Sequence, residues 1–161
     1  MLVSYTLTPE AEALVNQVDG ADVSFDKAHP GDAGFDLRAV STHYIYPDEM
    51  ALVQTGVIVA IPENHFGMIV PRSGMVKNLG ITVANSPGIV DSGYRGEICV
   101  LLKRYADGIG DIHWIKPGDR IAQMIIVRSD ATHGMYLSHE SFERTYMNTD
   151  RGEGGFGSTG R

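Results

Sequence analysis

Six short aliphatic stretches, at residues 35–40, 51–54, 57–61, 67–70, 98–102 and 121–127, constrain the fold more than any other feature of this chain. They are rich in the β-branched and aliphatic side chains that strands favour. Turn-forming residues punctuate them, at Pro30-Gly31, Pro62-Glu63-Asn64, Ser86-Pro87-Gly88 and Pro117-Gly118. Strands of this length at this spacing predict an all-β domain, a sandwich or a barrel. Two stretches read as helix. Residues 9–18 open on a proline followed by acids, as a helix N-terminus does. Residues 74–79 suit a single turn. With 161 residues and no linker-like interruption, residues 1–150 are expected to form one domain.

The last eleven residues cannot build a core. Arg151-Gly152-Glu153-Gly154-Gly155-Phe156-Gly157-Ser158-Thr159-Gly160-Arg161 holds five glycines and one large apolar side chain. Ordering such a segment costs much backbone entropy, so residues 151–161 are expected to be mobile when free. One use for them is a solubilising tail. The other is a lid over phosphates. Glycine amides can approach phosphate oxygens, Ser158 and Thr159 add hydroxyls, Arg151 adds a planar cation, and Phe156 offers a face to a nucleobase.

Composition narrows the choices. The net charge of -7 argues against nucleic-acid polymers as partners. No apolar run approaches the ~20 residues of a membrane span, and the first residues lack the basic region of a signal peptide. The single cysteine, Cys99, lies in an apolar run and reads as a small buried hydrophobe. A reducing cytoplasm is the expected compartment. The six histidines have no metal-ligand spacing.

Five blocks in order resemble the trimeric dUTP diphosphatases (dUTPases). They are 33–39 (AGFDLRA), 71–74 (PRSG), 88–97 (GIVDSGYRGE), 118–123 (GDRIAQ) and the tail. The resemblance implies a distorted jelly roll, a homotrimer with sites between subunits, Mg²⁺ as cofactor, and hydrolysis of dUTP to dUMP and pyrophosphate.

The resemblance assigns roles residue by residue. Asp91 matches an aspartate that positions a water for attack on the α-phosphorus, which is general-base work; read alone, it could simply cap the turn that follows. Tyr94 matches a ring that packs where a ribose 2′-hydroxyl would project. Residues 83–91 are expected to form a hairpin-like pocket. Its main chain, at Gly88 and Ile89 among others, would read the uracil edge, with Asn85 adding a side-chain amide. Arg72, Ser73 and Gly74 would meet phosphate oxygens, as would Gln123; read alone, residues 71–74 are an Arg-Ser turn. Asp36 matches an aspartate that touches Mg²⁺ through water; read alone, it is a surface residue on a strand. Asp119 and Arg120 are expected to pair and support their turn. In the tail, Phe156 would cover the base, Gly157, Ser158 and Thr159 would grip phosphates, and Arg151 would act as an arginine finger.

Two rivals stand beside this reading. A dCTP deaminase of the same fold would need a proton-shuttling glutamate near the base and would not need this tail. A dUTPase-fold protein acting mainly through a protein partner is the other. No role is assigned to residues 1–28, and residues 103–105 (KRY) depart from the family pattern.

Overall fold

The computed structural model describes residues 2–16, 21–105, 112–130 and 132–149. The elements run β1 (Ser4–Leu7), α1 (Pro9–Val15), β2 (Gly34–Arg38), β3 (His43–Ile45), β4 (Met50–Gln54), β5 (Val57–Ala60), β6 (His65–Val70), α2 (Ser73–Leu79), β7 (Ile81–Val83), β8 (Gly88–Asp91), β9 (Cys99–Arg104), β10 (His113–Ile115), β11 (Arg120–Arg128) and α3 (His139–Tyr146). All pairings are antiparallel. The chain divides into two compact units, the first ending at Asp130 and the second beginning at Ala131. The sequence placed its boundary at residue 150. Residues 151–161, and with them every tail assignment, lie outside the described residues.

Among the described residues, all eleven strands belong to the first unit. Four form the sheet β2-β11-β6-β8, three form β4-β9-β7, and two ribbons pair β1 with β5 and β10 with β3. Burial alternates along the strands. In β9, Val100 and Leu102 point inward while Cys99, Leu101 and Lys103 are only partly covered. That period of two comes from the pleat. The inward faces of both larger sheets meet in one apolar cluster. Leu37, Ile69, Val90 and Met124 come from the first, and Val53, Ile81, Val100 and Leu102 from the second. This is a sandwich core.

The helices have local causes. Thr8 caps α1 by accepting from the Ala11 N–H at 3.4 Å, and Pro9 fills the first position. The helix ends at Val15, short of the expected residue 18. Gly80 stops α2 with a left-handed φ of 61°, the conformation glycine adopts without a Cβ penalty. In the second unit, Ser138 caps α3 by accepting from the Ser141 N–H at 3.3 Å. This helix was not among those expected from the sequence.

Candidate active site

The site residues fall into two groups. The first lines a cleft of about 290 Å³ walled by Ile69, Asn85, Ile89, Asp91, Tyr94 and Glu97, among others. Strand β8 forms one wall. It pairs with β6 on one side only and is an edge of its sheet. An edge strand leaves a row of main-chain N–H and C=O groups unpaired, here facing the cleft. Asn85 arches over Gly88; a Cβ on Gly88 would sit 3.4 Å from Asn85 Nδ2. The expected hairpin is not one. β7 pairs with β9 and β8 with β6, so residues 84–87 cross between sheets. The connection includes a cis Ser86–Pro87 bond.

Asp91 ends β8 and is exposed. The turn after it is closed by its main chain, whose carbonyl accepts from the Tyr94 N–H at 3.0 Å. Its carboxylate takes no hydrogen bond or ion pair among the described residues, so it does not cap that turn. Tyr94 is half exposed, and its hydroxyl donates to the Glu97 carbonyl at 3.0 Å. Ring and carbonyl can meet because residue 96 is glycine: a Cβ there would overlap the Tyr94 ring and hydroxyl.

The second group is built on charge. Asp36 is buried, contrary to a surface position. Its Oδ1 lies 3.1 Å from Arg72 Nε and its Oδ2 3.3 Å from Arg120 Nη1. Arg72 also donates to the Arg120 carbonyl at 3.4 Å. Burial disfavours the charge on Arg72 and Asp36 opposes that loss; a guanidinium stays cationic at any working pH. Arg120 was expected to pair with Asp119. Instead Asp119 accepts from the Lys116 N–H at 2.8 Å and holds the turn, while Arg120 serves Asp36. Gln123 donates to the Pro71 carbonyl at 3.2 Å. Its side chain fills the space above Gly34, where a Cβ would come within 2.9 Å of Gln123 Oε1. Ser73 and Gly74 are exposed and open α2, so their N–H groups have no helical acceptor.

Strand register separates the groups. Gln123 lies opposite both Asp36 and Val70, whereas Asp91 lies opposite Phe66. The four residue steps of β6 from Phe66 to Val70 span ~13 Å. The charged group and Asp91 therefore sit at opposite ends of one sheet. Among the described residues, no three His, Cys, Asp or Glu side chains converge as a metal site.

Two cleft residues with reactive side chains, Glu97 and Cys99, had no chemical role assigned from sequence. Glu97 ends the third matched block but was given none. Cys99 was read as filler, and it faces the cleft; burial and the neighbouring Glu97 push its thiol pKa up.

Comparison with known proteins identifies the family. The dUTPase family model matches residues 23–160. The chain belongs to the dUTPase family. The deoxyuridine 5′-triphosphate nucleotidohydrolase of Tropheryma whipplei (strain Twist) is 43% identical over 140 residues, which cover 84% of this chain and 87% of that protein. The corresponding protein of Mycolicibacterium vanbaalenii is 44% identical over 135 residues, covering 83% and 85%. Among solved structures, a mutant dUTPase of Staphylococcus bacteriophage 80alpha with dUpNHpp superposes at a TM-score of 0.76, with 25% identity and 99% of both chains covered. A mutant dUTPase from phage phi11 of S. aureus, described with a structural Mg(II) ion, gives 0.69 at 25% identity, covering 89% of this chain and 99% of that one.

Proposed function

We infer that this dUTPase-family chain hydrolyses dUTP to dUMP and pyrophosphate. The observation that carries the mechanism is the free, exposed carboxylate of Asp91 at the mouth of the cleft. Asp91 orients a water and takes its proton as the oxygen attacks the α-phosphorus. The bond from that phosphorus to the bridging oxygen breaks, and pyrophosphate leaves.

The edge of β8 reads the base. Uracil presents an N3–H donor and an O4 acceptor, and cytosine presents the reverse. A fixed row of main-chain groups at Gly88 and Ile89, with the Asn85 amide, is left unpaired by the wrong base, which discriminates strongly. Tyr94 blocks the space of a 2′-hydroxyl. Arg72, Gln123 and the amides of Ser73 and Gly74 take phosphate oxygens. Arg151, Phe156, Gly157, Ser158 and Thr159 close over the nucleotide.

Magnesium fits as an ion carried on the phosphates. Both Asp36 oxygens already accept a guanidinium, which suits contact through water and not direct ligation. When bound, the ion neutralises phosphate charge. The working form is a homotrimer, as the family resemblance implies, with Asp91 of one chain and the charged group of another meeting across one nucleotide. A reducing cytoplasm suits its single cysteine.

The deaminase rival turns on a glutamate near the base, and Glu97 is there. Its two oxygens, however, accept from the Gly56 N–H at 2.7 Å and Gln54 Nε2 at 3.4 Å. A carboxylate held this way is poorly placed to shuttle a proton. The test is to incubate the protein and Mg²⁺ with dUTP, dCTP, dTTP and UTP in turn and identify the products. Pyrophosphate is expected from dUTP, with little from the others. Ammonia released from dCTP would overturn the assignment.

A further inference from the structure

Glu97 touches the cleft, yet nothing above gives it a part in the reaction. Its side chain is tied to the opposite loop through Gly56 and Gln54. Its main chain is the anchor of Tyr94. The next residue is clamped as well. The Ile98 N–H donates to the Val57 carbonyl at 2.8 Å, and the Ile98 carbonyl accepts from the buried Thr55 hydroxyl at 2.6 Å. Gly56 is itself fixed. Its φ is 68°, its carbonyl accepts from the Thr8 N–H at 2.7 Å, and a Cβ on it would overlap Ala11.

We propose that Glu97 is the positioning residue for sugar discrimination: by gripping the Gly56 N–H it fixes the carbonyl that holds the Tyr94 ring across the cleft. The proposal rests on the reading of Tyr94 as the block to a 2′-hydroxyl. A steric block works only if the wall does not yield. Tyr94 stands on an exposed turn with glycines on both sides, Gly93 and Gly96. A half-exposed ring there can swing aside unless its hydroxyl is held. The carboxylate's role is geometric, as an acceptor for one main-chain N–H, and a neutral amide oxygen can fill it.

The test is kcat/KM for dUTP and for UTP in the full-length protein and in Tyr94→Ala, Tyr94→Phe, Glu97→Ala and Glu97→Gln. Tyr94→Ala should collapse the dUTP:UTP ratio. Glu97→Ala should lower it about tenfold, the scale at which a pocket senses one small group, chiefly through better use of UTP. Tyr94→Phe keeps the ring but loses its anchor and should lower the ratio in the same direction; it decides the matter if Glu97→Ala does not fold. Glu97→Gln should preserve the ratio. An unchanged ratio in folded Glu97→Ala or in Tyr94→Phe overturns the proposal, as does loss of dUTP turnover in Glu97→Gln, which would make the charge itself essential. An unchanged ratio in Tyr94→Ala would instead remove the sugar-block reading beneath it.

Discussion

If the proposed function holds, two regions of the β2-β11-β6-β8 sheet recognise different things by different means. Along the β8 edge the cleft is made of main chain, Asn85 and the Tyr94 ring, with one free carboxylate, Asp91, at the end away from the charged group. At the other end Asp36, Arg72 and Arg120 form a charge cluster that neutralises itself only in part. The first region reads shape and donor pattern, which is short-ranged and intolerant of a wrong base. The second reads charge, which acts at longer range and is tolerant of detail. Specificity and chemistry should therefore break at the β8 edge, and affinity at the charged end.

The largest effect expected is at Asp91. Asp91→Asn should lower kcat by at least ~10²–10⁴-fold, the range of a general base, while dUTP still binds. Single-turnover rates together with a binding measurement check this. A near-normal kcat would return Asp91 to a structural part and erase the contrast.

Next comes Arg72→Ala, which should raise KM for dUTP by ~10–100-fold, the scale of losing a hydrogen bond to a charged group, with less effect on kcat. Steady-state kinetics across ionic strengths measure it, since the wild-type advantage should shrink with salt. The same pair of variants tests whether the ends belong to different chains of one site. At dUTP well below the raised KM, equimolar Asp91→Asn and Arg72→Ala chains should regain activity after subunit exchange. Absence of recovery in exchanged oligomers would mean that the two ends work within one chain.

The smallest effect lies away from both ends. Burial, reinforced by Arg104 and opposed by Asp119, holds the His113 imidazole below its ordinary pKa. The unfolded chain therefore binds the proton more readily than the folded one. The neutral imidazole is favoured in the fold, so this contribution is complete above the unfolded value of about 6.5 and is lost as pH falls below it. His113→Gln should narrow the fall in Tm between pH 7.5 and 5.5 by a degree or two, the shift of a few tenths of a kcal/mol. Parallel melts of the two proteins would show it, and equal falls would remove His113 from the account.

The legible parts of this molecule were the local ones. β2, β4, β5, β6, β9 and β11 coincide with apolar runs whose side chains reveal them without help from a partner. β8 was hidden, because Gly88, a turn-like glycine, begins it and Asp91 ends it. What makes it a strand is β6, about twenty residues away in sequence. β3, β7 and β10 are three residues each, too short to show a period. Charged contacts were hidden for the same reason. Asp36, Arg72 and Arg120 look unrelated along the chain, and only the adjacency of β2 and β11 and the exit from β6 bring them together. The Asp119–Arg120 pairing failed because Asp119 stays in the turn before β11, where its carboxylate holds the Lys116 N–H, while Arg120 opens the strand and reaches Asp36. Glu97 was overlooked because its partner is a main-chain N–H, and no residue type in a sequence announces that.

Gly56 bears on how such a chain can change over generations. The family model begins at residue 23, so β1 and α1 precede the portion it matches. They nonetheless press on a position inside it. With Ala11 against the bare α-carbon of Gly56 and Thr8 bonded to its carbonyl, neither partner can enlarge alone. Any methyl added at residue 56 meets Ala11, and any branch added at Ala11 meets the loop that holds Glu97. A lineage carrying this helix has exchanged freedom to vary at two sites for a fixed seam. Because the φ of 68° at Gly56 favours glycine whatever the space, shrinking residue 11 does not by itself admit a side chain at residue 56.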